Sequence, residues 1–240
     1  SSEKGKAMTD KLTIIGAPIS PYVRKVLAIL IMKDLPFRCI PQVPFLGDDN
    51  FTRISPLRRI PVLKHGDFTL PDSTAIIQYL EEAFPDTPAA YPGDAKARAR
   101  ARWFEEYADD HFGRNVVFNL FFQRVVRPRV LKEKPDQALI DQTLESTLPN
   151  ALDYLEGEVP ADGFLAGDIS VGDITIAAMM KNAFWAGWEM DEDRWPGFAA
   201  WLKRTSDHPA LMKVNTLADE MMAVPPTEHE AIMERFHAAA

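Results

Sequence analysis

The feature that most constrains this chain is a change of texture at Thr87–Gly93, "TPAAYPG". Two prolines and a glycine in seven residues interrupt any helical or strand period, so the stretch reads as a linker. Before it, strand and helix signals alternate. Leu12–Ile15 reads as a strand, and Pro21–Lys33 as a helix with Val23, Val26, Leu27, Leu30 and Ile31 on one face. Phe37–Pro41 is a second strand, and Asp48–Ile54 an irregular or short helical crossover. Pro61–Leu63 and Phe68–Leu70 flank "KHGD", a hairpin signal. Ser73–Phe84 is a helix with Ile76, Ile77 and Leu80 inward. The order β-α-β-α-β-β-α predicts a small mixed sheet with helices on its faces.

Beyond the linker almost no strand signal is present. Lys96–Phe122 reads as one long helix bent near Gly113, and Asp136–Glu156 as another with Pro149 as a kink or break. Ser170–Trp185 is apolar nearly all round and is expected at the centre of a bundle. Pro196–Ser206 and Pro209–Met222 complete the helices. The predicted organisation is an α/β domain at 11–86, a linker at 87–95, an all-α domain at 96–226 and a weakly amphipathic tail at 227–240. "SSEKGKA", residues 1–7, has no periodicity and precedes Met8; it is expected to be an expression remnant outside the fold.

A length of 240 residues suits one large domain or two modest ones. The net charge of -8 disfavours nucleic acid and anionic membrane as partners. Cys39 is the only cysteine, so no intramolecular disulfide is possible and a reducing compartment is compatible. No apolar run is long enough to span a bilayer and no secretory signal is visible, so a cytoplasmic location is expected. The five histidines show no metal-ligand spacing, and no metal is expected. G-x-G-x-x-G, P-loop, C-x-x-C and G-x-S-x-G patterns are absent. "KARARAR", Lys96–Arg102, reads as a solvated helix face with Arg102 and Glu106 at i,i+4, or as part of a subunit interface.

Three stretches bear chemistry. In "LTIIGAPISPYVRKVLAIL", Ser20 falls at the strand-to-helix joint directly before Pro21. Serine at the N-cap with proline at N1 is an ordinary helix start. The same geometry can hold an anion, because a helix N-terminus carries unpaired N–H groups and partial positive charge. A free thiol ionises near pH 8.5, and a two-unit shift needs roughly 2.7 kcal/mol of preference for the thiolate. One hydroxyl hydrogen bond plus the dipole is about that size. In "RRIPVL", Pro61 opens a strand; it is a turn proline or a cis proline that exposes the backbone of Ile60 to a peptide-like ligand. In "PDSTAIIQYL", Asp72 and Ser73 either cap the next helix or bind the ammonium and carboxylate of a ligand. Together the three describe a site for a small zwitterionic thiol peptide.

On these motifs the chain resembles the cytosolic glutathione S-transferases, from about Lys11 to Met222. "SPYVRKV", "IPVL", "DSTAIIQYL" and "SVGDITIA" carry the likeness, the last as an N-capping box of Ser170 and Asp173. The resemblance implies a thioredoxin-like first domain, an all-helical second domain and a serine-type site, with the class left unassigned. It implies that Ser20 donates to the glutathione thiolate, and that Ile60, ahead of a cis Pro61, pairs with the cysteinyl residue. Asp72 and Ser73 would take the γ-glutamyl group, and Arg59 would lie near the glycyl carboxylate. Arg58 departs from the family, which commonly has glycine there, and would bring a second guanidinium to the ligand carboxylates. A small electrophile is expected between the domains, against Tyr107, His111, Phe112 and Asn115, with Phe118 beside them. Those residues are otherwise ordinary helix packing. A homodimer is implied, with glutathione as co-substrate.

Competing readings stay open. Thiol transfer through a mixed disulfide is disfavoured, because Ser20 occupies the place of the nucleophilic cysteine and Cys39 is expected to be buried on a strand. A glutathione-dependent peroxidase or reductase, or a non-catalytic ligand-binding or regulatory protein on the same fold, would use nearly the same residues.

Overall fold

The computed structural model describes residues 12–239; the expected expression remnant at 1–7, Met8 and Lys11 lie outside them. β1 (Leu12–Ile15) runs parallel to β2 (Arg38–Ile40), with α1 (Pro21–Met32) as the crossover that parallel pairing requires. After α2 (Asp49–Ile54), β3 (Val62–His65) pairs antiparallel with β1 and turns through Gly66 into β4 (Phe68–Pro71). The sheet order is β2-β1-β3-β4, and α3 (Ser73–Ala83) follows. This is the thioredoxin-like mixed sheet that the alternating signals predict.

The helical region begins with α4 (Ala95–Glu106), which runs on through wide π-type turns over Tyr107–Phe112 and Arg114–Leu131. Gly113 keeps helical dihedrals (φ -60°, ψ -41°), and the helix ends at Lys132 in the left-handed region, φ 58°. It therefore outlasts the end expected at Phe122. Gln123, Val125 and Val126 are buried and hold the extra turns. α5 (Gln137–Gln142) passes through another wide turn, Thr143–Thr147, into α6 (Leu148–Glu158). The break expected at Pro149 takes this form: a proline lacks the N–H that would bond back to the preceding turn.

α7 (Val171–Trp185) is buried over most of its length, as its apolar sequence predicts. Its Ser170–Asp173 capping box is formed, and the buried Asp173 carboxylate accepts from the N–H groups of Ser170 and Leu165 and from Trp201 Nε1, at 2.9, 2.9 and 3.0 Å. Burial pushes this carboxyl up and those donors pull it back. The basic run at Lys96–Arg102 is used within its own region: Arg100 pairs with Glu158 and donates to the Leu165 carbonyl, and Arg102 lies over the Tyr91 ring.

α8 (Pro196–Ser206), α9 (Pro209–Met222) and α10 (His229–Ala238) follow the expected spans, the tail forming a helix. The chain divides into two compact units, one of residues 12–90 with 209–239 and the other of 91–208. This differs from the sequence grouping of 96–226 as one domain. α9 packs on α1, and α10 lies against β2, where Arg38 pairs with Glu234 at 2.9 Å and the Cys39 N–H donates to His237 Nε2 at 3.0 Å. Periodicity shows that α9 has a buried face but not what covers it. With α3 and α9 both packed on it, α1 is buried beyond its expected face, Arg24 and Lys25 included.

Candidate functional site

The sheet register brings the three sequence motifs to one place. Ile15 pairs with Val62, and Val62 with Pro71, so one row crosses three strands. The chain after Ile15 leads to Ser20, the residues before Val62 are Ile60 and Pro61, and the chain after Pro71 is Asp72 and Ser73. All three segments leave the sheet at the same end. Gly16 lets them approach: a Cβ there would lie 2.6 Å from Val23 Cγ2, 3.1 Å from Ile60 Cβ and 3.5 Å from Pro61 Cα. Sequence reading missed this glycine, since only the fold puts Ile60 beside it.

Ser20 caps α1, with backbone φ -67° and ψ 129° and Pro21 following. Its Oγ accepts from the Val23 N–H at 3.4 Å, a long contact that uses the oxygen and not the hydroxyl proton. That proton can be offered to an anion at the helix N-terminus. The loop ahead of it is fixed from below, because the buried Arg24 guanidinium donates to the carbonyls of Pro18 and Ile19, both at 2.8 Å. Burial brings Arg24 down to about 9, and Asp219 opposes that fall.

The Ile60–Pro61 bond is cis. Among the described residues the N–H and carbonyl of Ile60 have no hydrogen-bond partner, so both can pair with an extended ligand. Ser55 braces the turn, its Oγ donating to the Arg59 carbonyl at 2.7 Å and accepting from the Arg59 N–H at 2.9 Å. The Arg59 side chain is exposed. Arg58 differs from expectation. Its guanidinium is turned to the 44–52 segment, where it meets the carbonyls of Gly47 (2.7 Å) and Pro44 (3.2 Å) and Thr52 Oγ1 (2.5 Å), over the Phe51 ring. It braces that loop. It takes the left-handed conformation (φ 51°) in which the family's glycine would be at ease.

Asp72 caps α3 through Oδ1, which accepts from the Ala75 N–H at 3.0 Å, and it holds a positive φ of 83°. It is exposed, whereas Ser73 is buried. The Ser73 N–H has no partner among the described residues, as expected at a first helical position. Lys25, to which the sequence motifs assign no role of its own, reaches this end of α3. Its ammonium donates to Ser73 Oγ (3.2 Å) and Thr74 Oγ1 (3.1 Å). The only signal was a charged pair, Arg24-Lys25, inside an apolar helix.

The residues expected around an electrophile lie in the second unit. Tyr107 donates its hydroxyl to the Ala151 carbonyl at 3.1 Å, and burial pushes its pKa up. Its ring neighbours the exposed His111 at 5.3 Å and Tyr154 at 5.1 Å. Phe112 is fully buried, and buried Asn115 donates its amide to the His111 carbonyl at 3.0 Å. Phe118 is exposed. Cys39 is buried on β2, donates to the Gly16 carbonyl at 3.4 Å, and is pushed up to about 12 by burial. Among the described residues no group of three or more His, Cys, Asp or Glu is placed to hold a metal ion, and no helix is long and apolar enough to cross a membrane.

A thioredoxin-like sheet with a cis proline, a serine-capped first helix and an acidic-capped third helix, joined to a helical region, defines a class that comparison with known proteins bears out. The family model described as "Glutathione S-transferase, N-terminal domain" matches residues 14–88. Glutathione S-transferase 3 of Zea mays is 32% identical over 161 residues, 65% of this chain and 71% of its own length. Glutathione S-transferase U13 of Arabidopsis thaliana is 25% identical over 222 residues, 90% of this chain and 96% of its own. The crystal structure of a glutathione S-transferase from Rhodospirillum rubrum superposes with a TM-score of 0.77 at 25% identity, covering 85% of this chain and 91% of that one. The chain belongs to the glutathione S-transferase family.

Proposed function

We propose that this protein is a glutathione transferase that binds glutathione in its first unit, holds it as the thiolate and conjugates it to a small electrophile. The observation that carries this reading is the Ser20 hydroxyl at the start of α1, which accepts from the Val23 N–H and has no acceptor for its own proton among the described residues, on the sheet end where Ile60 and the start of α3 also lie. The Ser20 hydroxyl donates to the sulfur. The helix dipole adds to it, and together they favour the thiolate over the thiol. The cysteinyl peptide groups pair with Ile60 as a short added strand. The γ-glutamyl carboxylate meets the N–H and hydroxyl of Ser73, its ammonium meets Asp72, and exposed Arg59 takes the glycyl carboxylate. The protein's contribution to rate is thiolate stabilisation and positioning, with no covalent enzyme intermediate. Buried Cys39, whose thiol stays protonated at neutral pH, argues against a mixed-disulfide route. The family likeness also supports a homodimer, which sedimentation would check.

The test is conjugation of glutathione to an activated aryl chloride, followed by absorbance for wild type and Ser20→Ala. Wild type is expected to turn over, with kcat/KM lowered about 10²-fold in the variant, the scale of losing one charge-stabilising donor. Binding without turnover across a panel of electrophiles would favour a carrier role on the same site.

A further inference from the structure

The last helix, α10, rests on little apolar surface. Three of its ten residues are buried, His229, Ile232 and Met233. A helix of that length is marginal in water on its own, so α10 persists because it is docked. Its sequence, "HEAIMERFHA", carries a histidine at each end, and both make polar docking contacts. At the C-terminal end, His237 Nε2 accepts from the Cys39 N–H at 3.0 Å. Cys39 is the central residue of β2, the edge strand of the sheet, so the histidine occupies an edge N–H. A ring nitrogen that accepts this bond carries no proton. His237 is therefore neutral while α10 is docked, with its proton on Nδ1. At the N-terminal end, His229 is 2% exposed. Its Nε2 lies 3.0 Å from the Met221 carbonyl, which can only accept, so the proton is on Nε2. Nδ1 is buried and has no partner among the described residues. A second proton there would be a buried charge with no acceptor, beside the partial positive charge of a helix N-terminus.

The charged groups around α10 do not offset this. On β2, Arg38 pairs with Glu234 of α10 at 2.9 Å. On α9, Glu220 pairs with Arg235 of α10 at 3.5 Å, Lys213 lies over the Phe236 ring, and Asp219 acts on Arg24 of α1. Glu228 and Glu230 flank His229 in sequence, and neither bonds to its buried Nδ1. The dipole of α10 favours a cation at His237, but there the Cys39 N–H points at the same nitrogen, and a protonated ring would set two donors against each other. We infer that α10 is an acid-released cover of the β2 edge, latched by His229 and His237 in their neutral forms. Docking is complete where histidine is neutral and is lost as pH falls below the ordinary histidine value of about 6.5, with one proton taken up at each ring. Release reaches the rest of the unit through β2. The Ile40 carbonyl, one residue beyond the latch, accepts from the Gly16 N–H at 2.9 Å, on the segment that leads to Ser20.

The test is hydrogen–deuterium exchange of the full chain at pH 7 and pH 5, read on the peptide covering α10 and corrected for the intrinsic pH dependence of exchange. The variants are His237→Gln, His229→Gln and the double variant, each checked for a native circular-dichroism spectrum at pH 7. Glutamine can keep either bond, accepting from the Cys39 N–H or donating to the Met221 carbonyl, and it does not titrate. With two protons taken up on release, protection of α10 in wild type is expected to fall about 600-fold from pH 7 to pH 5, and about 25-fold in either single variant. In the double variant it should change less than about twofold, which separates the latch from a general loosening in acid. His237→Gln, at the half-buried position, carries the comparison with wild type where His229→Gln does not fold. A wild-type fall of less than about tenfold, or an equal fall in wild type and a folded variant, overturns the inference.

Discussion

At the scale of single residues, environment rather than residue type decides what each group can do. Cys39 is the only thiol, and burial raises it to about 12. The folded state keeps its proton where an unfolded chain would lose it, so this contribution to stability is complete below the ordinary thiol pKa and is lost as pH rises through the folded one. A disulfide reagent at pH 8 should therefore leave the native protein unmodified and label Cys39 on addition of denaturant; rapid labelling of the native protein would contradict its placement. Arg58 is a second case. Replacing it with alanine removes its ties to Gly47, Pro44 and Thr52 while keeping a left-handed backbone. Arg58→Ala should cost about 1–3 kcal/mol in a urea titration and expose the 44–52 segment to limited proteolysis. The places of Ser20, Ile60, Asp72 and Ser73 at element ends were legible in the sequence because each sits at a punctuation mark: a serine before proline, a residue before a strand-opening proline, a cap before a helix. Gly16, Arg24, Lys25 and the true direction of Arg58 were not. Their partners are distant in sequence or lie in irregular loops, and no spacing rule relates them.

At the scale of elements, the strands and most helix spans follow from periodicity, and the departures have local causes. The long helix from Ala95 persists past Phe122 because buried residues continue on wider turns, a pattern that a search tuned to 3.6 residues per turn does not follow. The packing of α7 on α4 depends on Gly172, where an added Cβ would lie 2.7 Å from Phe104 Cβ and 3.1 Å from the Ala101 carbonyl. Gly172→Ala should destabilise by about 1–3 kcal/mol through overpacking, despite alanine's better helix propensity. A stabilised variant would show that the two helices can separate freely. Asp173→Asn tests the capping box, since an amide nitrogen cannot accept where a carboxylate oxygen does. The loss should be about 2–4 kcal/mol by urea titration, as donors such as Trp201 Nε1 lose their acceptor.

At the scale of the whole molecule, the chain's end returns to its beginning. α9 covers α1 and α10 covers the β2 edge, so residues 209–239 join the unit that carries the proposed glutathione site. The sequence divides the chain at its linker because composition changes there, but composition cannot say which unit a late helix joins. The central claim concerns that first unit: Ser20 holds a glutathione thiolate. The most direct measurement is the ultraviolet thiolate absorbance of bound glutathione against pH, for wild type and Ser20→Ala, at saturating protein. The account predicts a wild-type midpoint about two units below the free thiol value near 8.5, and a return most of the way toward it in Ser20→Ala with binding retained. The same lowered midpoint in both proteins would contradict the claim and reduce Ser20 to a helix cap.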